Sequence, residues 1–463
     1  MPQATRRWIS EKVKSLHESD VLPFHEILDA ETVKSALDAE GVKYNQCTYT
    51  PLVTLCLFLS QVLDPDHSCR AAVARLIVWL AINGRKPCAP ETNSYCDARQ
   101  RLPLGVIIRL VRQTAREIEA GASDEWLWKG RRVLLVDGTT VSMPDTVRNQ
   151  REFPQANTQG VGLGFPVARL VAIISLATGV VRDLALGPYK GKETGETALF
   201  RTLLEGLEAG EIMLGDRCFA SFLMIAELVQ RDVDALFRMH QRRKFDFRRG
   251  RRLGIEDHVV SWTKPERPEW MDEETYAQIP NELTIRELWI TVDQPGFRVN
   301  ELVLVTTMLD AKEYTKEDLA NLFLERWNIE LDLRSIKDVL QMDVLRCKSP
   351  EMVEKEIWMH LLAYNLIRGV MAKAAEAHDK QPRRLSFKGT LQTMTAFQDA
   401  LRWAKPEERE CLVGAMLEAI STHQVGDRFG RVEPRANKRR PKAQRFLMEP
   451  RKLARKRLLQ AAQ

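Results

Sequence analysis

Long apolar runs are scarce in this 463-residue chain. The stretches VTLCLFLSQVL (53–63) and RLIVWLAI (75–82) are too short or too interrupted to cross a bilayer, which takes about 20 apolar residues. The opening MPQATRRWISEKVKS has no apolar segment of the kind a signal peptide needs, so a soluble, intracellular protein is expected. Cysteine is equally uninformative as a scaffold. Eight are scattered at 47, 56, 69, 88, 96, 218, 347 and 411, with no C-x-x-C pair and no zinc-finger spacing. Reduced thiols are expected. There are only eight histidines, and no Ser-His-Asp or Cys-His arrangement is visible. No internal repeat is present.

What is there is a globular composition, 44% hydrophobic and 29% charged, in a length that suits two to four domains. The net charge is only +6, but it is unevenly spread. Residues 435–457 carry eleven Lys or Arg against one acid, a local +10 that leaves −4 on the rest of the chain. A second cluster, Arg242, Arg243, Lys244, Arg248, Arg249, Arg251 and Arg252, faces only Asp246. Two local patches of positive charge on a nearly neutral body suit a polyanion partner, because neutralised phosphates release counterions. A solvated basic tail is the alternative reading for 435–457.

Residues 1–128 carry helical periods in VLPFHEILDAETVKSAL, TPLVTLCLFLSQVL, SCRAAVARLIVWLAI and LGVIIRLVRQTAREIEAG, broken at Asp64-Pro65-Asp66 and Lys86-Pro87. A helical N-terminal region that binds DNA is expected there. At 131 the texture changes. RRVLLVDGTTVSMP reads as a buried strand, followed by strands over 167–179 and 180–189 with a hairpin at Ala177-Thr178-Gly179. A helix over 195–210, a strand at 211–217, a helix over 218–232 and a strand at 233–240 follow. This β-β-β-α-β-α-β order is that of a ribonuclease H-like core, an α/β fold. Residues 241–302 break the rhythm with the basic cluster and two strand-like pieces, LTIRELWITV and FRVNELVLVTTML, and read as a β-rich insertion. One long helix is predicted from Thr315 to Leu340, another over 350–376, and helical text again over 385–424. The expected parts are 1–128, a first core segment 129–240, the insertion 241–302, a second core segment 303–376 and a helical C-terminal region 377–463.

Asp137 ends an apolar strand and is followed by Gly-Thr-Thr; Asp216 repeats the pattern at the end of IMLGD. A charge there must be exposed, cap a turn, or bind a cation. The ends of adjacent strands are where side chains converge in an open α/β sheet. On the helix beyond, Phe323, Arg326, Glu330 and Lys337 fall within roughly 60° of one face at about 100° per residue, with Arg334 close by. An ordinary salt-bridged surface helix would look similar. Three carboxylates flanked by cations also make one device: two Mg²⁺ or Mn²⁺ ions on oxygen ligands, clamping a displacement at phosphorus while Arg326 and Lys337 hold neighbouring phosphates.

These blocks resemble the DDE transposases of bacterial insertion sequences, specifically the insertion-sequence-4 type. The family signature of Tyr, two residues, Arg, three residues, Glu, six residues, Lys stands here as Phe323-x2-Arg326-x3-Glu330-x6-Lys337. Phe323 replaces the tyrosine, so any phosphate contact from that hydroxyl is lost. The aspartate blocks match at Val136-Asp137-Gly138-Thr139-Thr140 and Gly215-Asp216-Arg217. The resemblance spans about 130–375. It implies a catalytic and metal-binding triad of Asp137, Asp216 and Glu330, with phosphate contacts from Arg326, Lys337, Arg334 and Arg217. It implies Mg²⁺ or Mn²⁺, two ions per site, double-stranded DNA as transposon ends and target, a homo-oligomer, expected as a dimer, on DNA, and a bacterial, nucleoid-associated cytoplasmic setting. Some relatives stack a flipped base on an insertion tryptophan; Trp262, Trp270 and Trp289 are candidates, each with a structural role as the alternative. A ribonuclease H-like nuclease without strand transfer, or a DNA-binding regulator that no longer cuts, are the rival readings.

Overall fold

The computed structural model describes residues 30–45, 47–292, 301–425 and 447–461. The run Arg435 to Arg445 lies outside the described residues. Arg451–Ala461 is a helix whose five cations, Arg451, Lys452, Arg455, Lys456 and Arg457, are all exposed. Among the described residues, no helix is long and apolar enough to cross a membrane. All eight cysteines are free.

One nine-stranded sheet organises the molecule, in the order β3-β2-β1-β4-β5-β9-β8-β7-β6. The strands β1 (Val133–Ser142), β2 (Val167–Ser175) and β3 (Val181–Pro188) form an antiparallel meander. The turn between β2 and β3 uses Gly179 at φ +81°, a conformation glycine adopts without steric cost. β4 (Ile212–Gly215) and β5 (Asp234–Arg238) then add in parallel beside β1. Three antiparallel strands followed by two parallel ones on the other side of β1 is the ribonuclease H-like arrangement.

The β-rich insertion continues this sheet instead of forming a separate one. β6 (Arg251–Gly254), β7 (Asp257–Thr263) and β8 (Glu282–Thr291) run antiparallel to one another, and β9 (Glu301–Thr306) joins β8 to β5.

Alternation along the strands divides the core into two faces. Val133, Leu135 and Val141 of β1, with Ile212 and Leu214 of β4, face one cluster; the N-terminal helices and helix Pro350–Ala377 cover it. Leu134 and Val136 face the other, covered by helices Glu196–Arg201 and Phe222–Val229. Pro350–Ala377 is buried almost all round, as a helix through the middle of a core must be.

Two predicted helices are shorter than their sequence periods. The stretch 195–210 is helical only over Glu196–Arg201, with a 3₁₀ turn at Leu204–Gly206. There the chain turns toward β4, and Arg182 reaches the Gly206 carbonyl and Glu208. The stretch 218–232 is helical over Phe222–Val229, because Ser221 caps it by accepting from the Met224 N–H. The long helix expected from Thr315 to Leu340 changes winding three times. It runs as an α-helix at Lys316–Leu324, a 3₁₀ turn at Glu325–Trp327, an α-helix at Asn328–Arg334 and a π-helical stretch at Ser335–Val339. A continuous 3.6-residue wheel therefore misplaces side chains across it.

Candidate active site

Asp137 is an odd-numbered residue of β1, so it shares the face of Val133 and Leu135, toward the long helix. The parallel ladder between β1 and β4 runs to Val136 opposite Gly215. Asp137 is the next residue of β1, and Asp216 is the first residue beyond β4. Ile212 and Leu214 of β4 lie on the same side as Val133 and Leu135. Gly215 is required there: a Cβ would lie 2.9 Å from Val136 and 3.0 Å from Phe219.

Glu330 comes from helix Asn328–Arg334, on that same side of the sheet, and is exposed. Arg326 connects it to β1. One guanidinium nitrogen of Arg326 is 3.9 Å from Asp137 Oδ2, and another is 3.9 Å from Glu330 Oε1. Arg326 is itself buried, and its Nε has no partner. Lys337, carried by the π-helical stretch, places its Nζ 3.3 Å from the hydroxyl of Thr139. The two signature cations thus both approach β1, one at Asp137 and one at Thr139. Phe323 is packed into the core.

The remaining predicted cations are dispersed. Arg334 pairs with Asp338 at 3.1 Å and is exposed. Arg217 donates to Gln241 at the start of the insertion, at 2.7 Å. In the basic cluster, Arg248 and Arg249 share Asp246. Arg243 lies 3.6 Å over the buried ring of Trp262, whose indole N–H donates to Glu287. Arg242, Lys244, Arg251 and Arg252 are exposed. Trp289 packs edge-on to Phe245. Trp270 is more open, at 37% exposure, with Arg201 stacked 3.6 Å over it.

Arg201, His240, Arg242, Arg243, Lys244 and Trp270 line a cleft of about 760 Å³ together with Thr197 and Cys218.

Glu196 is a further acid that the sequence did not single out. It opens helix Glu196–Arg201 on the opposite face of β1 and lies flat over Gly138, where an added Cβ would meet its carboxyl carbon at 2.5 Å. Its Oε2 is 3.9 Å from Cys218 Sγ. Burial pushes the Cys218 thiol up to about 12, and the charges of Glu196, Asp216 and Asp137 add to that. Asp137 is raised to about 6, chiefly by burial, with Glu196 and Glu330 adding repulsion. A hydrogen bond from the Gly138 N–H and the charge of Arg326 oppose this.

Among the described residues, no three His, Cys, Asp or Glu side chains are gathered closely enough to enclose an ion unaided. The cation between Asp137 and Glu330 is Arg326. The donors nonetheless fit a hard divalent ion, since all three are carboxylate oxygens.

The known proteins that this chain resembles are transposases. The model of the transposase DDE domain family matches residues 128–366. The chain is 28% identical over 421 residues to "Transposase InsG for insertion sequence element IS4" of Escherichia coli (strain K12), covering 89% of this chain and 91% of that one. It is 29% identical over 140 residues to "Putative transposase InsZ" of the same organism, 30% of this chain and 46% of that one. Among solved structures, a piggyBac transposase synaptic complex with hairpin DNA aligns over 86% of this chain and 84% of that chain, at 9% identity and a TM-score of 0.42. The chain belongs to the transposase DDE domain family and, within it, to the insertion-sequence-4 type.

Proposed function

We propose that this transposase binds the terminal repeats of its element, cuts the DNA there and joins the freed 3′ end to a target. The observation that carries the reading is the place of Arg326, which draws Glu330 and Asp137 together beside the strand end that bears Asp216.

Asp137, Asp216 and Glu330 would hold two Mg²⁺ or Mn²⁺ ions. When bound, such a pair activates the attacking hydroxyl and neutralises charge on the leaving oxygen. The chain's own side chains do the rest. Arg326 and Lys337, set against β1, hold the phosphates that flank the scissile one. The cleft cations Arg201, Arg242, Arg243 and Lys244 hold the phosphate backbone elsewhere along the bound DNA. Water cleaves one strand and leaves a 3′-hydroxyl; that hydroxyl then attacks the opposite strand or the target, exchanging one phosphodiester for another. Two copies of the chain would bring the two ends of the element together.

The test is one incubation of the protein with labelled terminal-repeat DNA, Mn²⁺ and a target plasmid. Cleaved ends and joined products are expected. Glu330→Gln should give neither while binding ends within about twofold of the parent. Full cleavage by Glu330→Gln would remove Glu330 from the chemistry. Cutting without joining would leave a hydrolytic nuclease, and DNA binding with no divalent-ion site would leave a regulator.

A further inference from the structure

Two residues beyond Glu330, on the opposite side of the same helix, Asp332 is completely buried. Its carboxylate is surrounded by donors from two other elements. Tyr364 donates its hydroxyl to Oδ1 at 3.0 Å, and Arg368, one turn further along helix Pro350–Ala377, donates a guanidinium N–H to the same oxygen. Arg383 donates to Oδ2. Arg368 also donates to the Tyr364 oxygen at 2.8 Å, so the group is closed on itself. Arg383 continues outward: its Nε donates to the Leu176 carbonyl at 2.6 Å, and another N–H donates to the Ser175 carbonyl. Ser175 is the β2 residue that pairs with Leu134 of β1, three residues before Asp137. Gly179 in the β2–β3 turn leaves the room Arg368 occupies, since a Cβ there would lie 2.8 Å from the guanidinium.

We propose that Asp332, Arg368, Arg383 and Tyr364 are positioning residues that fix Glu330 relative to Asp137. Glu330 itself is exposed, on a helix of only two turns whose winding changes at both ends. Such a helix needs an anchor if one of its side chains is to meet a strand within a fraction of an ångström. Asp332 supplies it on the buried side. Arg383 transmits the register to the sheet, because its planar fork spans the carboxylate and two main-chain carbonyls at once. The anchor requires no contact with DNA, so end-binding and catalytic geometry should separate when it is loosened.

This inference rests on the metal-dependent reading above, and its test keeps the two apart. Arg383→Met cuts the tie to β2 while Arg368 and Tyr364 still hold Asp332 through Oδ1. Mn²⁺ affinity of the DNA-free protein, measured by calorimetry, should fall about tenfold, as it does when groups that orient metal ligands are removed. The Mn²⁺ concentration for half-maximal cleavage should rise in parallel, with end-binding within about twofold of the parent. If Arg383→Met does not fold, Arg383→Lys decides, since it keeps the charge and loses the fork. A lowered melting temperature with unchanged Mn²⁺ affinity would make the cluster a structural ion pair and overturn the proposal. Glu330→Gln is the control. If it too leaves Mn²⁺ affinity unchanged, the metal-dependent reading has failed, not the anchor.

Discussion

Lys337 holds its ammonium 3.3 Å from the hydroxyl of Thr139, two residues beyond Asp137 on the same strand and on the same face. Nothing anionic pairs with it in that contact, so its charge is available to a phosphate drawn toward the carboxylates. Lys337→Ala should weaken binding of terminal-repeat DNA and reduce the slope of log K against log salt by about one. Stability should change by no more than about 0.5 kcal/mol, because no buried partner is abandoned. Titrations between low and moderate salt check this, and an unchanged slope would take Lys337 away from phosphate.

Arg326 is different, because it is buried and stands between two acids. Arg326→Ala removes the cation that both Asp137 and Glu330 approach. The metal-free protein should lose on the order of 1–3 kcal/mol, less than a tight buried pair because both contacts are long at 3.9 Å. Mn²⁺ should restore more of that loss than it adds to the parent, since it enters a site without a competing guanidinium. Thermal unfolding with and without Mn²⁺ distinguishes the outcomes; an equal metal-induced shift in both proteins would contradict the shared position.

The carboxyl of Asp137, raised to about 6, predicts a pH dependence of stability in the absence of divalent ions. The folded state holds this proton more tightly than the unfolded chain does. Its contribution is therefore fully present below the ordinary aspartate range and is lost as pH rises from about 4 to about 6. The loss should be on the order of 2 kcal/mol. Asp137→Asn should abolish that decline and be more stable than the parent at pH 7, at the cost of activity. Glu196→Gln should shift the decline to lower pH, because one of the repelling charges is gone. Denaturant unfolding at a series of pH values checks both; a parent that is equally stable at pH 4 and pH 7 would refute the assignment.

The nearness of the strand ends that carry Asp137 and Asp216 was legible in the sequence: an apolar run ending in aspartate is visible locally, and β1 and β4 are neighbours in the sheet. Arg326, Glu330 and Lys337 were legible through spacing. A wheel on a continuous α-helix does not place them, because 3₁₀ and π windings bring Arg326 and Lys337 onto β1. Glu196 was not legible. At the first position of a six-residue helix it reads as an ordinary acid near a helix N-terminus, and its approach to Gly138 depends on where the chain returns from β3. Asp332 was hidden for a related reason. It looks like one charge in a charged helix, and its partners lie 32, 36 and 51 residues away. The insertion's strands could be read individually, but not their union with the main sheet, since pairing of β9 with β5 is long-range.

That union has its own anchor, which yields the last prediction. Arg286 of β8 is fully buried and grips Asp257 of β7 with two hydrogen bonds, at 2.8 and 2.6 Å. Its remaining nitrogen donates to the Tyr314 carbonyl at 2.6 Å, just before the helical segment that leads to Arg326 and Glu330. Arg286→Ala should cost about 3–5 kcal/mol, because it strands a buried carboxylate and a carbonyl. Replacing both partners, Arg286→Met with Asp257→Leu, should recover most of that loss, since similar apolar volumes fill the site without a charge to desolvate. If the pair only holds the insertion together, the double variant should cleave DNA normally. If it also sets the entry to the helical segment, stability should return while cleavage stays low. Denaturant unfolding and a cleavage assay on the same three proteins separate these cases, and a single variant as stable as the parent would show that the buried pair contributes nothing.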